Sequence, residues 1–344
     1  MQSDQLKTAT RWVVFVSLTC LLLYAGKAMF IPLSFALLIS FLLYPVCSWL
    51  EGKGFSRSMA IGAGILIITI LIGSVILLLV NQFSAFRESW SGMSSKMDET
   101  MNQLSNFLTN QFGISPEGQD EWLKKALNEA VGIFGSVLFG SGAFLAVALI
   151  IPVYAALILY HRRMLVGLLI DLFPAVEKNK IVAILHKVIL TYYNFIKGMM
   201  LVYLCVGLLN SIGLWILDIP QAFLFGFIAS VLTFIPYIGI MIASLLPISV
   251  AWITKDSLWY PVGVIGVFTI VQYLEANVIF PMAVSSRLKI NTLVTLLVMF
   301  AGGILWGAAG MILFIPFIAI GKLIADELDP NSIWARALGN GDRN

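Results

Sequence analysis

Charge is what this chain has least of. Asp, Glu, Lys and Arg make up 11% of its 344 residues, hydrophobic residues make up 60%, and the mean hydropathy is +0.95. Soluble domains carry about 25% charged residues, so this composition excludes an ordinary water-facing surface and defines an integral membrane protein. The net charge of +3 is too small to attract nucleic acid. Histidine is nearly missing. His161 and His186 are the two present, both in basic stretches, and a His-ligated metal site is excluded. Three cysteines, Cys20, Cys47 and Cys205, lie in apolar runs without metal or redox spacing and are read as small buried thiols. Neither a metal nor a cofactor is expected. GxxxxGK[ST], HExxH and GxSxG do not occur, and no acidic pair sits at metal-ligand spacing within a span. Direct use of ATP through a P-loop is therefore excluded, and an enzyme is not expected.

What is present is a series of charge-free windows: 12–26, 28–50, 58–86, 130–160, 198–217, 219–254, 257–274 and 290–321. A helix needs about 20 apolar residues to cross the hydrocarbon. The expected fold is an all-α polytopic membrane protein of about eight hydrophobic segments, including two broken helical hairpins, plus an external helical insert. Lys7 and Arg11 before the first window resemble the start of a signal peptide, but no small-residue cleavage site follows, so the first helix is expected to stay. Windows 219–254 and 290–321 are too long for one crossing and short for two. Each has breakers near its middle, Pro236 and Gly239 in "TFIPYIG", and Gly302, Gly303, Gly307 and Gly310 in "AGGILWGAAG". Both windows read as hairpins, either re-entrant or spanning.

Orientation follows from lysine and arginine. With the N-terminus in the cytoplasm, the inner pieces are 1–11, 51–57, 161–198, 282–291 and 322–344, and they hold 15 of the 21 basic residues. Both termini are expected on the cytoplasmic side of a bacterial inner membrane. The expected organisation is N-terminal spans over 1–81, an external amphipathic insert over 82–132 and a span over 133–160. A cytoplasmic amphipathic region over 161–198, a C-terminal core over 199–324 and a tail over 325–344 follow. In the external insert Phe83, Phe86, Trp90, Met93, Met97, Met101, Leu104, Phe107 and Phe112 form one apolar stripe. The stripe packs on its own domain or a neighbouring subunit, or it binds a partner or substrate. In 161–198, Lys178, Lys180, Lys187 and Lys197 interleave with an apolar pattern, as in a helix lying near anionic lipid.

Polar groups within the spans are few. Glu275, in "QYLEANVIFP", interrupts an apolar run from Trp259 to Pro281, and a carboxylate at such depth costs about 2.5–3.5 kcal/mol on insertion scales. Gln272, three residues earlier, shares its helix face, whereas Asn277 points elsewhere. Glu275 binds a cation, proton or polar solute, or it lies near the cytoplasmic end paired with Arg287 or Lys289. Asp218, before Pro220, reads as an interface residue starting the next helix. Asn210 and Ser211 read as helix–helix glue or as pathway lining. Gly303, Gly307 and Gly310 serve either close packing or a broken transport helix.

The ordered set "FIPLSFALLISFLLYPV" (30–46), "FP…YYNFIKG" (173–198), "TFIPYIGIMIASLLP" (233–247), "EANVIFPMAV" (275–284) and "LVMFAGGILWGAAGMILFIPFIA" (297–319) resembles the AI-2E family of bacterial transporters. It differs from the usual pattern at Ile240, where proline is common, and at "KINT" (289–292). The resemblance implies a multi-span inner-membrane protein and a homo-oligomer, with a pentamer as the expected count. It also implies transport of a small polar solute, autoinducer-2-like, or sodium–proton exchange.

The leading expectation is a secondary exporter or permease of such a solute. Its pathway would run between the two hairpins and the span of Glu275, through Glu275, Gln272, Asn277, Pro236, Gly239, Gly303, Gly307 and Gly310. A cation–proton antiporter working through Glu275 is the alternative, and a membrane scaffold whose outer insert binds a partner is the third.

Overall fold

The computed structural model describes residues 2–92, 142–233, 238–255, 257–284 and 290–339. Among them the chain is helical throughout, with no strand. Along the chain run α1 (Gln2–Ala25), α2 (Lys27–Gly52), α3 (Arg57–Gly92), α4 (Gly142–Tyr160), α5 (Arg162–Leu172) and α6 (Lys178–Ile216). They are followed by α7 (Ala222–Leu232), α8 (Ile238–Thr254) and α9 (Trp259–Leu274), a π-helical turn (Glu275–Ile279), α10 (Phe280–Ala283), α11 (Thr292–Trp306), α12 (Ala308–Leu328) and α13 (Ile333–Leu338). Of the insert stripe, Met93, Met97, Met101, Leu104, Phe107 and Phe112 lie outside the described residues, as do Pro236, Arg287 and Lys289.

Among the described residues, five helices are long and apolar enough to cross a bilayer: Lys27–Gly52, Arg57–Leu78, Lys178–Ile216, Trp259–Ala283 and Ala308–Leu328. A sixth span arises if Leu149–Tyr160 and Arg162–Leu172, bent by 69° at His161, count as one. Large apolar side chains point outward along these rods. Trp259 is 80% exposed and Leu149 74%, a pattern that a hydrocarbon solvent tolerates over many residues and water does not. The protein is thus a multi-pass, all-α membrane protein. Cys47 alone among the cysteines is buried. Cys205 is half-buried and Cys20 exposed, because a thiol on a membrane helix can rest in lipid as readily as in protein.

The chain divides into two compact units, 1–67 with 146–196 and 286–344, and 68–145 with 197–285. In the first, Leu38 of α2, Tyr192 of α6 and Leu313 of α12 form a buried centre. Phe41 packs edge-on against Tyr192 with ring centroids 6.2 Å apart. Ser40, buried, donates to the carbonyls of Ala36 (2.7 Å) and of Ala155 on α4 (3.3 Å), so its hydroxyl is satisfied without water. The indole N–H of Trp306 donates to the carbonyl of Leu23 at 2.8 Å. That carbonyl lies in the last turn of α1, where the helix has no further amide to offer it.

The α11–α12 hairpin turns on a single residue. Gly307 adopts φ 63°, ψ −144°, a region that side chains rarely enter. Gly302 and Gly310 then meet backbone to backbone. Gly303 packs against the Met311 side chain, where an added Cβ would lie 2.6 Å from its terminal carbon. The pair in direct contact is Gly302 with Gly310, not Gly303 with Gly307, since the turn at Gly307 sets which residues face each other.

In the second unit Leu214 of α6, Phe225 of α7, Leu246 and Val250 of α8, and Val264 and Phe268 of α9 share one core. Small residues bring the backbones close. An added Cβ on Gly226 would come within 2.5 Å of the Ser211 amide nitrogen, and one on Gly213 within 2.4 Å of a Val267 methyl.

Two elements differ from the sequence reading. Residues 178–216 form one 39-residue helix, roughly 58 Å long, where a boundary near 198 was expected. No proline interrupts it, and its glycines, Gly198, Gly207 and Gly213, do not by themselves end a helix. Asp218 does not start the next helix; it closes α6. At φ 52° it holds the left-handed position that follows a helix, with Ile219 N–H donating to Leu214 O at 3.0 Å, and Pro220 forbids continuation. Its carboxylate pairs with Lys255 at 2.5 Å.

Candidate functional site

The window 219–254 is indeed broken. The α7 helix has 11 residues and α8 has 17, about 16 and 26 Å of rise against a hydrocarbon core of about 30 Å. At the end of α7 the hydroxyl of Thr233 donates to Ala229 O (2.8 Å), which also accepts the Thr233 N–H (2.9 Å), and the hydroxyl of Ser230 donates to Phe227 O (2.9 Å), so both hydroxyls are satisfied by their own helix. Gly239 is buried against the last turn of α7, and an added Cβ would lie 1.7 Å from the carbonyl oxygen of Leu232. Only glycine allows α8 to begin there.

Along α9 the buried residues are Pro261, Val264, Phe268 and Val271. Their spacing of three and four carries the packed face on to Gln272 and Glu275. Glu275 is 7% exposed, and among the described residues its Oε2 has no hydrogen-bond partner, nor has the Oε1 of Gln272. Asn277 is exposed and its amide donates to Tyr273 O at 2.9 Å, so it lies off this face, as the spacing predicts. The widened π-turn begins at Glu275 and leads to Pro281. Proline has no N–H to give and its ring clashes with the carbonyl four residues back, that of Asn277, which makes a wider turn the natural relief.

Two further polar groups come from α6. Val202, Val206, Gly207, Asn210, Ser211 and Leu214 are its packed stripe in this unit, with Tyr203 at the edge of it. The Tyr203 phenol lies within electrostatic reach of the Glu275 carboxyl group. Asn210 follows seven residues later, two turns and about 10 Å along the same stripe. It is fully buried, and neither Nδ2 nor Oδ1 makes a hydrogen bond among the described residues. Ser211, by contrast, is satisfied by its own helix, donating to Gly207 O at 2.7 Å. Buried polar atoms in native proteins are overwhelmingly hydrogen-bonded, and a group that is not calls for an explanation.

The structure therefore gathers Glu275, Gln272 and Tyr203, and adds Asn210 on the stripe of Tyr203. Tyr203 was missed from sequence because an aromatic residue in an apolar helix is ordinary. Gly303, Gly307 and Gly310 belong to the other compact unit, where their visible work is turning and packing the hairpin. A carboxyl group, two amides and a phenol in an apolar frame offer donors and acceptors to a polar guest, without a nucleophile–base pair among them.

An all-α, multi-pass membrane protein with buried polar groups lacking partners among the described residues, and a broken hairpin in the same compact unit, is the class from which transporters are drawn. The chain belongs to one such family. The family model for AI-2E family transporter matches residues 13–329. The chain is 29% identical over 308 residues to "Putative transport protein YrrI" of Bacillus subtilis (strain 168), covering 87% of this chain and 86% of the relative. It is 22% identical over 323 residues to "Putative transport protein YhhT" of Escherichia coli (strain K12), covering 93% and 90%. A shorter match, 28% identical over 111 residues and 32% of each chain, is to "AI-2 transport protein TqsA" of Escherichia coli (strain K12).

Proposed function

We propose that this chain is a secondary exporter or permease for a small polar solute, autoinducer-2-like in its wealth of hydroxyl groups, working as a homo-oligomer in a bacterial inner membrane with both termini cytoplasmic. The observation that carries it is the set of groups on Glu275, Gln272 and Asn210 without partners among the described residues, with Tyr203 within electrostatic reach of Glu275. A solute with several hydroxyls supplies donors and acceptors to all of these. The break closed by Gly239 supports the same reading, because it ends two half-helices inside a span where backbone groups can meet cargo. The short match to an AI-2 transport protein supports the chemical class, and the inner-side excess of lysine and arginine supports the orientation.

A second reading, cation–proton antiport, is favoured by the inward carboxyl group of Glu275, since an ionisable side chain at membrane depth marks an ion or proton route. Flux into proteoliposomes, with and without an imposed pH or sodium gradient, separates the two. The Glu275→Gln variant keeps the shape and loses the charge. Solute uptake that survives this change supports the permease. Gradient-driven cation flux that vanishes with it, alongside no solute uptake by the parent protein, supports the antiporter. No solute or ion flux in either protein would falsify both readings.

A further inference from the structure

The compact unit that contains α5 holds a cavity of about 710 Å³ with no part in the site described above. Phe41, Ile170 and Ile189 are among its apolar walls, and Arg162, Arg163, Lys178 and His186 line it as well. A second cavity of about 410 Å³ shares Arg163 and adds Arg57 and His161. Glu51 offsets one of these charges by pairing with Arg162. Even so, the Nη1 of Arg162 is buried without a hydrogen-bond partner among the described residues. The surroundings place this cluster at the membrane surface. α4 is an apolar rod, α5 leaves it at 69°, and Met164, Leu168, Leu172 and Phe173 stand exposed along and just beyond α5. A helix lying across the end of a span with such a face sits at the headgroup boundary.

We propose that this cavity binds an anionic phospholipid of the adjacent leaflet, its phosphate held by Arg162, Arg163 and Lys178 and its upper acyl chain lying against Phe41, Ile170 and Ile189. The volume falls in the range of small-molecule sites. A soluble anion would use the cations and leave the apolar walls idle, whereas a neutral lipid would use the walls and leave the Arg162 nitrogen bare. A lipid with a phosphodiester and one further negative charge uses both, and guanidinium groups suit phosphate oxygens in geometry as well as charge. The proposal does not depend on what the protein carries.

The test uses the full-length protein, delipidated in neutral detergent and titrated with short-chain phosphatidylglycerol, the bound species being counted by native mass spectrometry. One lipid per chain is expected, with phosphatidylcholine of the same chain length binding at least about fivefold more weakly. Arg163→Gln and Lys178→Gln are each expected to weaken phosphatidylglycerol about fivefold, and the two together about 25-fold. Gly167 lines the cavity and an added Cβ there meets nothing within 4 Å, so Gly167→Phe fills the space with the helix intact and all cations in place. It is expected to remove the bound species. Equal binding of phosphatidylcholine, or of glycerol 3-phosphate without chains, overturns the proposal, as does undiminished phosphatidylglycerol on the Gly167→Phe protein. The two comparisons on the parent protein decide the matter even where a variant fails to fold.

Discussion

Gly302 and Gly310 face each other so closely across the α11–α12 hairpin that a Cβ on Gly310 would lie 1.9 Å from the carbonyl oxygen of Gly302, and one on Gly302 2.5 Å from that of Gly310. No flexible side chain stands between them to give way. Gly310→Ala is therefore expected to destabilise the protein by about 1–3 kcal/mol or more, with Gly302→Ala somewhat milder. Gly266 in α9 is the control, since nothing lies within 4 Å of its would-be Cβ. Gly266→Ala should be neutral or stabilising by about 0.5–1 kcal/mol. Thermal unfolding in detergent, followed by intrinsic fluorescence, ranks the three.

Asn210 gives stability and transport opposite signs. Its buried amide has no partner among the described residues, so Asn210→Leu removes two desolvated polar atoms at similar volume and is expected to leave the melting temperature unchanged or higher. If cargo supplies the missing partner, flux should fall about tenfold. A lower melting temperature with full flux would mean that Asn210 is structural glue.

Tyr203→Phe keeps the ring and deletes the hydroxyl that lies within electrostatic reach of Glu275. Flux is expected to drop about tenfold, with stability changed by less than about 1 kcal/mol. Flux equal to that of the parent would remove Tyr203 from the site. Asn277→Ala, off the packed face, should leave flux as it is.

Trp306→Phe removes the indole donor to Leu23 O and returns an unpaired carbonyl to the end of α1. The expected cost is about 1 kcal/mol, felt locally. Hydrogen exchange should quicken around residues 22–30 and stay unchanged over α9.

Much of this was legible in the sequence, and particular residues show why. Charge-free windows and helical spacing are one-dimensional properties, so the breaks near Gly239 and Gly307, and the inward pair Gln272 and Glu275 with Asn277 turned away, could be read directly. The rest depends on neighbours. Nothing at His161 is a helix breaker, yet α4 and α5 bend there by 69°, because an apolar rod ends and an amphipathic one begins. The unbroken α6 was hidden by a change in face composition at Lys197 and Gly198, which alters what the helix touches and not whether it forms. Tyr203 joins Glu275 only through tertiary packing. Which glycines of the second hairpin touch was decided by the backbone of one residue, Gly307.

The π-turn at Glu275–Ile279 sets the register of a carboxyl group. A π-turn holds an extra residue in the same rise, and each residue of an α-helix advances about 100° around the axis. Were that surplus to migrate toward Trp259, every side chain it passed would swing by about that angle, and Glu275 would leave the company of Tyr203 for the lipid side. The surplus residue in "EANVI" thus fixes which way Glu275 faces, and Pro281, which cannot donate the N–H that a tighter turn would use, disfavours losing it.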